Sequence, residues 1–550
     1  MPGRKEVYLK EILAQVPRIL GQQCRVPTMR PYGCFDRPFW NYGDYGTPRT
    51  RRQEAVLTLA LLYTIEHEDN IYRGNRMILE WIKAGIDFWT GLQLRTGAFN
   101  ELYPNEFNYT STAFTSYAIS ESLLLLKEEL PARQAYLDTL HRAAGWLTRY
   151  KEPLVINHDS GAAVFLYNMY VLTGDATYAE FANDKLEHIA SSQDPEGWFN
   201  EYGGPDIGYL SLTIAYLAKY YQKSKNERAF PVLASAVDFI SHFVHPNNTF
   251  GGEYASRNTE YLLPDGFEIL APRIETANAI AESIAAAIRN RSAVLPFSLD
   301  DKYLLYNGYD YLQAYLNNRL DGADLGALPN SKPFFKYFEN SRIAIRNSDK
   351  MYVVSNGNKG GALFAFFKDS GKSFDDSGVL AYSKDRMLTS CLMNKTNIVE
   401  ARENAMKVSG KLGRPFDNEM TEPKYLALRL FQMTFGYFEA VSLGVKEFLR
   451  KVLITKPRSS PYRFEREIVF EGDSMSITDR VERFQSLKRI RTGIRLDTIY
   501  GESGRYFKNA ELDGQPFTLE VNAGDGSART IEIVRVFDGS GTLKKATGNQ

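Results

Sequence analysis

The sequence has little cysteine and no long apolar segment. Its three cysteines, Cys24, Cys34 and Cys391, lie in none of the spacings that bind a metal, and their odd number argues against a disulfide framework. No run reaches the ~20 apolar residues that span a bilayer. The charged segment 1–21 lacks the apolar core of a signal peptide. We therefore expect a soluble protein in the cytoplasm with no membrane partner, while export by a route without such a signal stays open.

Net charge is also absent. The 66 lysine and arginine residues balance 66 aspartate and glutamate residues, so the total charge does not favour a nucleic-acid partner. The sequence contains no phosphate-binding loop, no dinucleotide-binding glycine pattern and no His-Glu-x-x-His zinc motif. We predict no cofactor, no metal and no nucleic-acid partner. An acidic partner would have to be held by local clusters of charge.

What the sequence does contain is a pair of nearly identical loops. Residues 97–104 read GAFNELYP and residues 197–205 read GWFNEYGGP, while residues 250–254 read FGGEY. Each segment follows one helical pattern and precedes another. Recurrent loops of this kind are typical of arrays of helical hairpins, in which the loops meet at one rim. The repeat therefore predicts an architecture and also the position of a site.

Helical periodicity extends to about residue 320, beginning with a helix over 5–20. Five helical hairpins are then predicted. Their paired helices lie at 51–66 and 71–92, 112–130 and 131–150, 158–173 and 175–192, 206–222 and 226–244, and 268–289 and 300–318. This arrangement predicts an N-terminal (α/α) toroid of five to six hairpins at 1–320.

Beyond that point the composition and the period change. Residues 321–334 have the proline- and glycine-containing composition of a linker. Alternating apolar residues then predict antiparallel strands. Examples are 342–346, 350–354, 362–366 and 474–478. We therefore predict a second domain at 335–550, an antiparallel β-sandwich.

All six histidines lie in the helical part, which narrows the search for a general base. They are His67, His141, His158, His188, His242 and His245. Only His158 falls in a long join between hairpins, directly at the start of an inner helix. Asn157 and His158 are therefore candidate catalytic residues. In the alternative interpretation, Asn157 or Asp159 caps the helix and His158 has no chemical role.

The loops of the next two hairpins supply further candidates. Asp206 is placed to cap an inner helix, and Tyr209 lies about one turn inside that helix. Arg257, in the third loop, could bind a substrate carboxylate with two parallel hydrogen bonds. The alternatives are that Tyr209 is a packing aromatic and that Arg257 braces Glu253 or Glu260.

Aromatic residues are enriched, with 34 tyrosines and 33 phenylalanines, and their rings are suited to stacking on sugars. The N-terminal loop around Arg37 and Trp40 is interpreted either as a sugar-stacking wall or as a plug over the end of the toroid. In the first repeated loop, Asn105 and Tyr109 are predicted sugar contacts. The second and third loops add the predicted substrate contacts Glu201, Tyr202, Glu253 and Tyr254.

Asn157 and His158 open one inner helix, and Tyr209 lies just inside the next. Together with a helical toroid followed by a β-sandwich, this pattern resembles the heparinase II/III-like polysaccharide lyases. The resemblance implies β-elimination at a uronic acid: the C5 proton beside the carboxylate is removed, and the oxygen at C4 leaves. The implied substrate is an acidic polysaccharide such as a glycosaminoglycan.

The resemblance also implies roles for single residues. Asn157, helped by Arg257, would neutralise the charge that develops on the carboxylate. His158 would be the general base or would help to hold the carboxylate. Tyr209 would be the general acid on the leaving oxygen, and for some substrates the base. Because free tyrosine has a pKa of ~10, the base role requires a nearby positive charge.

The chain departs from the family in having no histidine after His245. Members with known activity often use a histidine from the β domain and some hold a metal there, so neither is expected in that form. Two other functions stay open. One is a glycoside hydrolase with two carboxylates ~6.5–9.5 Å apart, and the other is a non-cleaving or epimerising protein of glycan assembly. The carboxylate pair would come from Glu101, Glu201, Asp206, Glu253 and Glu260.

Overall fold

The structure, a computed structural model, describes eleven stretches of the chain. These are residues 3–43, 46–130, 134–150, 155–320, 326–383, 386–415, 421–453, 458–482, 487–496, 518–522 and 530–549. Within them the chain forms fifteen α-helices and fifteen β-strands. A helical toroid comes first and antiparallel sheets follow, which confirms the predicted fold class.

The first thirteen helices build the toroid, and two more lie within the β region. They are α1 (Arg4–Leu13), α2 (Val16–Gln22), α3 (Ala55–Thr64), α4 (Arg76–Gly91), α5 (Tyr109–Leu125), α6 (Gln134–Leu147), α7 (Asn157–Thr173), α8 (Ala176–Ser192), α9 (Ile207–Ser224), α10 (Ala229–Ser241), α11 (Asp265–Leu270), α12 (Glu275–Asn290), α13 (Asp301–Asn317), α14 (Glu422–Met433) and α15 (Glu439–Leu453). An inner ring of α3, α5, α7, α9, α11 and α13 closes because α13 packs against α3. Outside it lie α4, α6, α8, α10, α12 and α1.

The amount of each helix that is buried explains its place. The inner helix α7 buries most of its residues on all sides. The outer helix α8 has the same length but buries only Ala182, Lys185, Leu186 and Ile189. A helix that is apolar or small all round belongs inside, whereas one with a single apolar stripe covers the outside. The inner helices α5, α7 and α9 begin directly after the rim loops, so their N-termini face the candidate site.

Two of the predicted helices are interrupted. The helix predicted at 5–20 is divided into α1 and α2, with Pro17 in the first turn of α2. The helix predicted at 268–289 is divided into α11 and α12, with Pro272 between them. Proline lacks the backbone N–H that a helix interior needs and its ring collides with the preceding turn, so it favours a break.

The strands form two antiparallel sheets. They are β1 (Phe334–Phe338), β2 (Ile343–Asn347), β3 (Met351–Asn356), β4 (Ala362–Phe367), β5 (Lys372–Asp376), β6 (Leu380–Ser383), β7 (Arg386–Thr389), β8 (Ile398–Arg402), β9 (Ala405–Arg414), β10 (Arg458–Glu471), β11 (Ser474–Glu482), β12 (Leu487–Thr492), β13 (Leu519–Asn522), β14 (Thr530–Phe537) and β15 (Leu543–Asn549). The first sheet has the order β1-β2-β3-β4-β5. The second has the order β13-β12-β6-β7-β9-β10-β11-β14-β15, with β8 paired to β9. Of the predicted linker, 321–325 lie outside the described residues.

The five-stranded sheet joins the two parts of the molecule. One of its faces shares a continuous hydrophobic core with the helices, and the ring of Phe364 stacks on His245 at 3.9 Å. Its other face packs against the ten-stranded sheet. Between the sheets the fully buried Arg466 pairs with Asp376 at 2.9 Å and with Asp479 at 2.7 Å. The β region is therefore fastened to the toroid near the third rim loop.

The hairpin of α14 and α15 interrupts the β region between β9 and β10, and the sequence analysis did not predict it. It packs on the rim of the toroid, where Lys446 pairs with Glu106 at 2.9 Å and Tyr150 donates a hydrogen bond to Glu439 at 2.8 Å. Its outer surface exposes large apolar side chains. These include Tyr425, Leu426, Leu430, Met433, Phe435, Tyr437, Phe438 and Phe448.

Candidate active site

The two repeated loops begin in the same backbone conformation. Gly97 has a φ of 99° and Gly197 a φ of 102°. Each glycine lies against a carbonyl of the outer helix that follows its loop. A Cβ atom would be 2.2 Å from the Arg142 oxygen in the first loop and 2.3 Å from the Ser235 oxygen in the second. Only glycine combines this left-handed φ with so close an approach of the backbone.

The same loops end at the caps of inner helices. Asn108 accepts a hydrogen bond from the backbone N–H of Ser111 at 2.8 Å before α5, and Asp206 accepts one from that of Tyr209 at 3.1 Å before α9. Asp206 therefore caps its helix as predicted. Its second oxygen accepts the backbone N–H of Arg257 at 2.9 Å. One carboxylate thus fixes the second and third loops relative to each other.

A small cleft lies where α7 and α9 begin. It is lined by Ile156, Asn157, Phe199, Asn200, Glu201, Asp206, Tyr209, Leu210 and Thr213. Asn157 Nδ2 donates a hydrogen bond to Glu201 Oε2 at 3.0 Å, while Asn157 Oδ1 is buried and has no hydrogen-bond partner in the described chain. Buried polar atoms without partners are uncommon in folded proteins, so Asn157 marks a position where a ligand could complete the hydrogen bonding.

Tyr209 contributes its phenol to this cleft. Its hydroxyl lies 3.2 Å from that of Tyr303. Burial raises the pKa of Tyr209 above its usual value, the Arg257 guanidinium acts in the opposite direction, and the Glu201 carboxylate adds to the increase. The phenol therefore keeps its proton at neutral pH and is able to donate it.

Arg257 lies against two aromatic rings. Its guanidinium carbon is 4.6 Å from the centre of the Tyr202 ring and 5.7 Å from that of Tyr209. Its Nε is buried without a partner, and across the described ranges neither Glu253 nor Glu260 pairs with it. The predicted alternative of a structural brace is therefore not formed. A guanidinium that lies against aromatic rings and forms no ion pair with any described residue is suited to bind a carboxylate.

His158 lies beside the cleft and not in its lining. Its Nε2 is 2.9 Å from Thr110 Oγ1, and its ring stacks on Tyr109 at 6.3 Å and meets Phe114 edge-on at 6.0 Å. All three partners belong to α5, whereas Asn157 contacts the loop before α9. The two neighbouring residues therefore contact different elements, and the role of His158 as a base stays a prediction.

A buried ionic network lies next to His158. Asp159 has no exposed side-chain surface and accepts hydrogen bonds from Lys185 Nζ at 2.9 Å, from His188 Nδ1 at 2.7 Å and from the Tyr109 hydroxyl. Burial acts to raise the pKa of Asp159, but the His188 hydrogen bond and the Lys185 charge outweigh it and lower the pKa. The Tyr109 hydroxyl, a predicted sugar contact, is therefore already engaged by the protein.

Glu253 and Tyr254, two more of the predicted substrate contacts, have no exposed surface. Glu253 accepts a hydrogen bond from Ser377 Oγ at 2.8 Å, and the Tyr254 hydroxyl lies 2.9 Å from His245 Nε2. Both residues fasten the third rim loop, Glu253 to the β region and Tyr254 to the end of an outer helix. A polysaccharide cannot reach either side chain there, because no part of it is open to solvent.

The remaining predicted contacts are Asn105, Arg37 and Trp40, which lie outside the lining of the cleft. Asn105 Nδ2 donates to the carbonyl of Gln432 in α14 at 3.3 Å, and Trp40 Nε1 donates to that of Gln22 in α2 at 2.7 Å. Arg37 is exposed. Their contacts tie surface segments to the toroid, and their roles in substrate binding stay predictions.

The sequence analysis missed the contribution of α13. Tyr303 reaches the hydroxyl of Tyr209, and the Tyr306 hydroxyl donates to Glu101 Oε1 at 2.9 Å. With Tyr309, these tyrosines recur every third residue in a helix that is buried on almost all sides. Tyrosines repeated at this spacing in an inner helix were the sequence signal that could have predicted side chains facing the centre of the toroid.

The described ranges contain no group of three or more histidine, cysteine, aspartate or glutamate side chains that could hold a metal ion. None of the helices in those ranges has both the length and the apolar character needed to cross a membrane.

No protein-family model and no curated protein matches the chain. Solved structures do, and they show the fold: a helical toroid followed by antiparallel sheets, which a chondroitin AC lyase also has. The chondroitin AC lyase of Streptomyces coelicolor A3, in complex with chondroitin sulphate, has a TM-score of 0.55 at 11% identity, covering 89% of this chain and 68% of its own. The resemblance seen in the sequence is thereby confirmed at the level of the fold.

Two other solved structures are similar with lower scores. Heparinase III has a TM-score of 0.45 at 10% identity and covers 98% of this chain and 90% of its own. An unsaturated glucuronyl hydrolase specific for heparin has a TM-score of 0.39 at 10% identity and covers 57% of this chain and 96% of its own.

Proposed function

We propose that the chain is a polysaccharide lyase that cleaves a uronic-acid-containing polysaccharide by β-elimination. One observation carries the proposal: Asn157 and Tyr209 line a single cleft, and the guanidinium of Arg257, which forms no ion pair within the described ranges, lies against the Tyr209 ring. The fold shared with a chondroitin AC lyase supports it. These are an amide donor, a protonated phenol and a cation, which are the groups that elimination beside a carboxylate requires.

In the proposed reaction, Arg257 and Asn157 bind the uronate carboxylate. Removal of the C5 proton moves negative charge onto the carboxylate oxygens, so a cation and an N–H donor stabilise the transition state more than the ground state. Asn157 has a second N–H that Glu201 does not use, and the 3.0 Å hydrogen bond to Glu201 orients the amide. Glu201 is therefore a positioning residue in this proposal.

His158 and Tyr209 complete the proton transfers. His158 accepts the C5 proton, the electrons of the C5–H bond form the C4–C5 double bond, and the C4–O bond breaks. Tyr209 donates its proton to the departing oxygen. The raised pKa of Tyr209 favours this acid role and opposes a role as the base. Tyr303, whose hydroxyl is 3.2 Å away, is placed to pass a proton back to Tyr209.

The carboxylates of the cleft give less support to a glycoside hydrolase. Asp206 uses one oxygen for the backbone N–H of Tyr209 and the other for that of Arg257. Glu201 holds Asn157. A hydrolase needs one carboxyl group that protonates the leaving oxygen and a second that activates water or attacks the sugar, and both cleft carboxylates already position other residues.

The test is incubation of the full chain with hyaluronan, chondroitin, heparan sulfate and alginate, followed by ultraviolet absorbance and an assay for reducing ends. A lyase produces both signals together, because each cleavage leaves an unsaturated ring and a new reducing end. Reducing ends without absorbance would indicate hydrolysis. Exchange of the C5 hydrogen for solvent deuterium without cleavage would indicate epimerisation. Either result would overturn the proposal.

Two histidine variants form a matched pair for the same assay. His158→Ala should lower kcat about 10²- to 10⁴-fold if the imidazole is the general base. His141→Ala should retain wild-type kcat, since His141 contacts Tyr178 between outer helices. A folded His158→Ala variant with full activity would remove His158 from the mechanism.

A further inference from the structure

The centre of the toroid contains a second arginine that the proposed reaction does not use. The guanidinium carbon of Arg51 lies over two aromatic rings, 3.9 Å from the centre of Tyr306 and 4.7 Å from that of Phe114. These two cation–π contacts restrict the movement of the group. The N–H groups of a guanidinium lie in its own plane, and two of them can bind a carboxylate or sulfate side by side.

The hydrogen bonds of Arg51 within the described chain do not use its two terminal nitrogens. Its Nε donates to Glu54 Oε1 at 2.7 Å, and its backbone N–H donates to Glu101 Oε2 at 2.9 Å. No residue of the described chain accepts a hydrogen bond from the two terminal nitrogens. These nitrogens are also not among the buried atoms without partners, so they face open space. They are free to bind a ligand.

Arg51 and the candidate catalytic residues border the same central space. On one side, Phe114 contacts the ring of His158 at 6.0 Å. On the other, the Tyr306 ring lies 5.7 Å from that of Tyr303, whose hydroxyl is 3.2 Å from that of Tyr209. Within the described chain, Arg51 and Arg257 thus both have terminal nitrogens without acceptors. Arg51 lies by Tyr306 and Arg257 by Tyr209, and Tyr303 contacts both of these tyrosines.

We propose that Arg51 binds a second anionic group of the substrate, a carboxylate or sulfate on a sugar next to the one that reacts. The identity of that sugar chain rests on the proposed function, whereas the anion site itself does not. With Arg257 on the reacting uronate, the protein would bind two negatively charged groups of the same polysaccharide. A polysaccharide with a single isolated uronate would then bind less well than one with closely spaced charges.

The acidic side chains near Arg51 do not occupy the site. Both oxygens of Glu101 are used by other groups, namely the Tyr306 hydroxyl at Oε1 and the Ser111 hydroxyl at Oε2. Glu54 bonds to Nε and leaves the terminal nitrogens free. Burial raises the pKa of Glu54 to about 7, with the Arg51 charge acting in the opposite direction. Glu54 is therefore partly protonated near neutral pH and does not fully compensate the charge of Arg51.

The first experiment measures oligosaccharide binding by calorimetry at fixed ionic strength, in the full chain carrying Tyr209→Phe so that the ligand is not turned over. The ligands are a chondroitin tetrasaccharide and its 4-sulfated counterpart. Arg51→Gln should weaken binding about 10- to 100-fold, the range expected when a hydrogen-bonded charge pair is lost. A loss confined to the sulfated ligand would assign a sulfate, and an equal loss for both would assign a carboxylate. Unchanged affinity for both would overturn the proposal.

Two further variants make the result specific to Arg51. Arg51→Lys keeps the positive charge and can still reach Glu54 but lacks the planar fork, so it should bind with an intermediate affinity. It also serves if Arg51→Gln does not fold. Arg228→Gln is the matched control, because Arg228 is 63% exposed and pairs with Glu187 on the outside of the toroid. It should bind as the parent does, and a loss there equal to that of Arg51→Gln would contradict the assignment.

A second readout separates this proposal from the proposed function. Thermal unfolding of the otherwise wild-type chain is measured in sulfate and in acetate, each against chloride at matched ionic strength. One of the two anions should raise the Tm of the wild type and of Arg228→Gln more than that of Arg51→Gln, because site binding adds to the general stabilisation that sulfate gives every folded protein. If the anion protects through Arg51 but no polysaccharide binds, the anion site stands and the lyase proposal fails. If neither anion nor oligosaccharide depends on Arg51, the anion site fails.

Discussion

The two repeated rim loops have the same scaffold, and their glutamates do different things. In the first loop Gln93 Nε2 donates to the carbonyl of Gly97 at 3.0 Å, and in the second Gln193 Nε2 donates to that of Gly197 at 3.0 Å. Each loop then reaches an Asn-Glu pair and ends at the cap of an inner helix. Up to this point the copies are interchangeable.

The difference begins at the glutamates. Glu101 accepts hydrogen bonds from Tyr306 at 2.9 Å, from Ser111 at 2.8 Å and from the backbone of Arg51 at 2.9 Å, all groups of the toroid wall. Glu201 lines the cleft and accepts one from Asn157 at 3.0 Å. The repeated backbone therefore places one carboxylate of each loop at the rim. The neighbouring side chains determine whether that carboxylate stabilises the toroid, as Glu101 does, or orients the candidate catalytic amide of Asn157, as Glu201 does.

The largest effect should separate the tyrosines that follow the two loops. Tyr209→Phe removes the proposed acid and should lower kcat about 10²- to 10⁴-fold. Tyr109→Phe keeps the ring that stacks on His158 and leaves the Lys185–Asp159 ion pair in place, so kcat should change less than about threefold while stability falls by about 1 kcal/mol. Steady-state kinetics and denaturant unfolding of both variants provide the measurement. Comparable losses of kcat would show that the first loop also carries chemistry.

The second-largest effect concerns the pH dependence of stability that the Glu54 carboxyl group, near the first repeated loop, should cause. Burial raises the pKa of Glu54 to about 7, whereas an unfolded glutamate releases its proton near 4.5. Between these pH values the unfolded chain binds fewer protons than the folded one, so stability falls as pH rises through that window. Glu54→Gln has no proton to lose, and its unfolding free energy should therefore fall less steeply, by roughly 3 kcal/mol across the window. Parallel stability curves at pH 4.5–7 for the variant and the wild type would contradict this.

Much of the fold was predictable because the residues that end and cap helices occur where the hydrophobic periodicity also begins and ends a helix. The third hairpin was predicted at 158–173 and 175–192, and the structure has α7 and α8 there within one residue at each end. Gly174 adopts a φ of 74° and ends α7, while Asp175 accepts a hydrogen bond from the backbone of Thr177 at 3.0 Å and caps α8. Such local signals do not depend on the rest of the chain.

The hairpin of α14 and α15 was missed although its signal is present. Leu426, Leu430 and Met433 follow the helical spacing of i, i+4 and i+7. The prediction of an uninterrupted β-sandwich after 335 overrode that local pattern. An insertion between two strands leaves the strand pattern on either side unchanged, so the surrounding sequence gives no warning of it.

The surroundings of Arg51 could not be predicted for a different reason. Arg51, Phe114 and Tyr306 belong to three inner elements and meet only when α13 closes the ring against α3. Periodicity identifies a helix as buried all round, as in α13, but it does not tell which of its faces meets which neighbour. The candidate site was therefore predictable where loops carry it, and not where inner helix faces do.

The third effect should be the same in both copies. Gly97→Ala and Gly197→Ala each place a Cβ at a left-handed φ and within 2.2 and 2.3 Å of a backbone oxygen. Each should lower the unfolding free energy by about 1–3 kcal/mol. Denaturant titration should give two nearly equal losses. A clear inequality would show that the scaffolds are not equivalent and would weaken the comparison of their glutamates.

The smallest effect is the most specific to the comparison. Glu201→Gln keeps the shape of the side chain but replaces a charged acceptor of the Asn157 amide by a neutral one, so kcat/KM should fall about tenfold with little change in stability. Glu101→Gln makes the same replacement where the acceptor holds Tyr306 and Ser111. It should change the unfolding free energy by about 1–2 kcal/mol while kcat stays near that of the wild type. Because the substitution is the same and the two loops have the same backbone, Glu201→Gln should affect mainly kcat/KM, and Glu101→Gln mainly the free energy of unfolding. If both variants lose activity equally, the two glutamates share one function, and the division between a structural and a catalytic copy would be wrong.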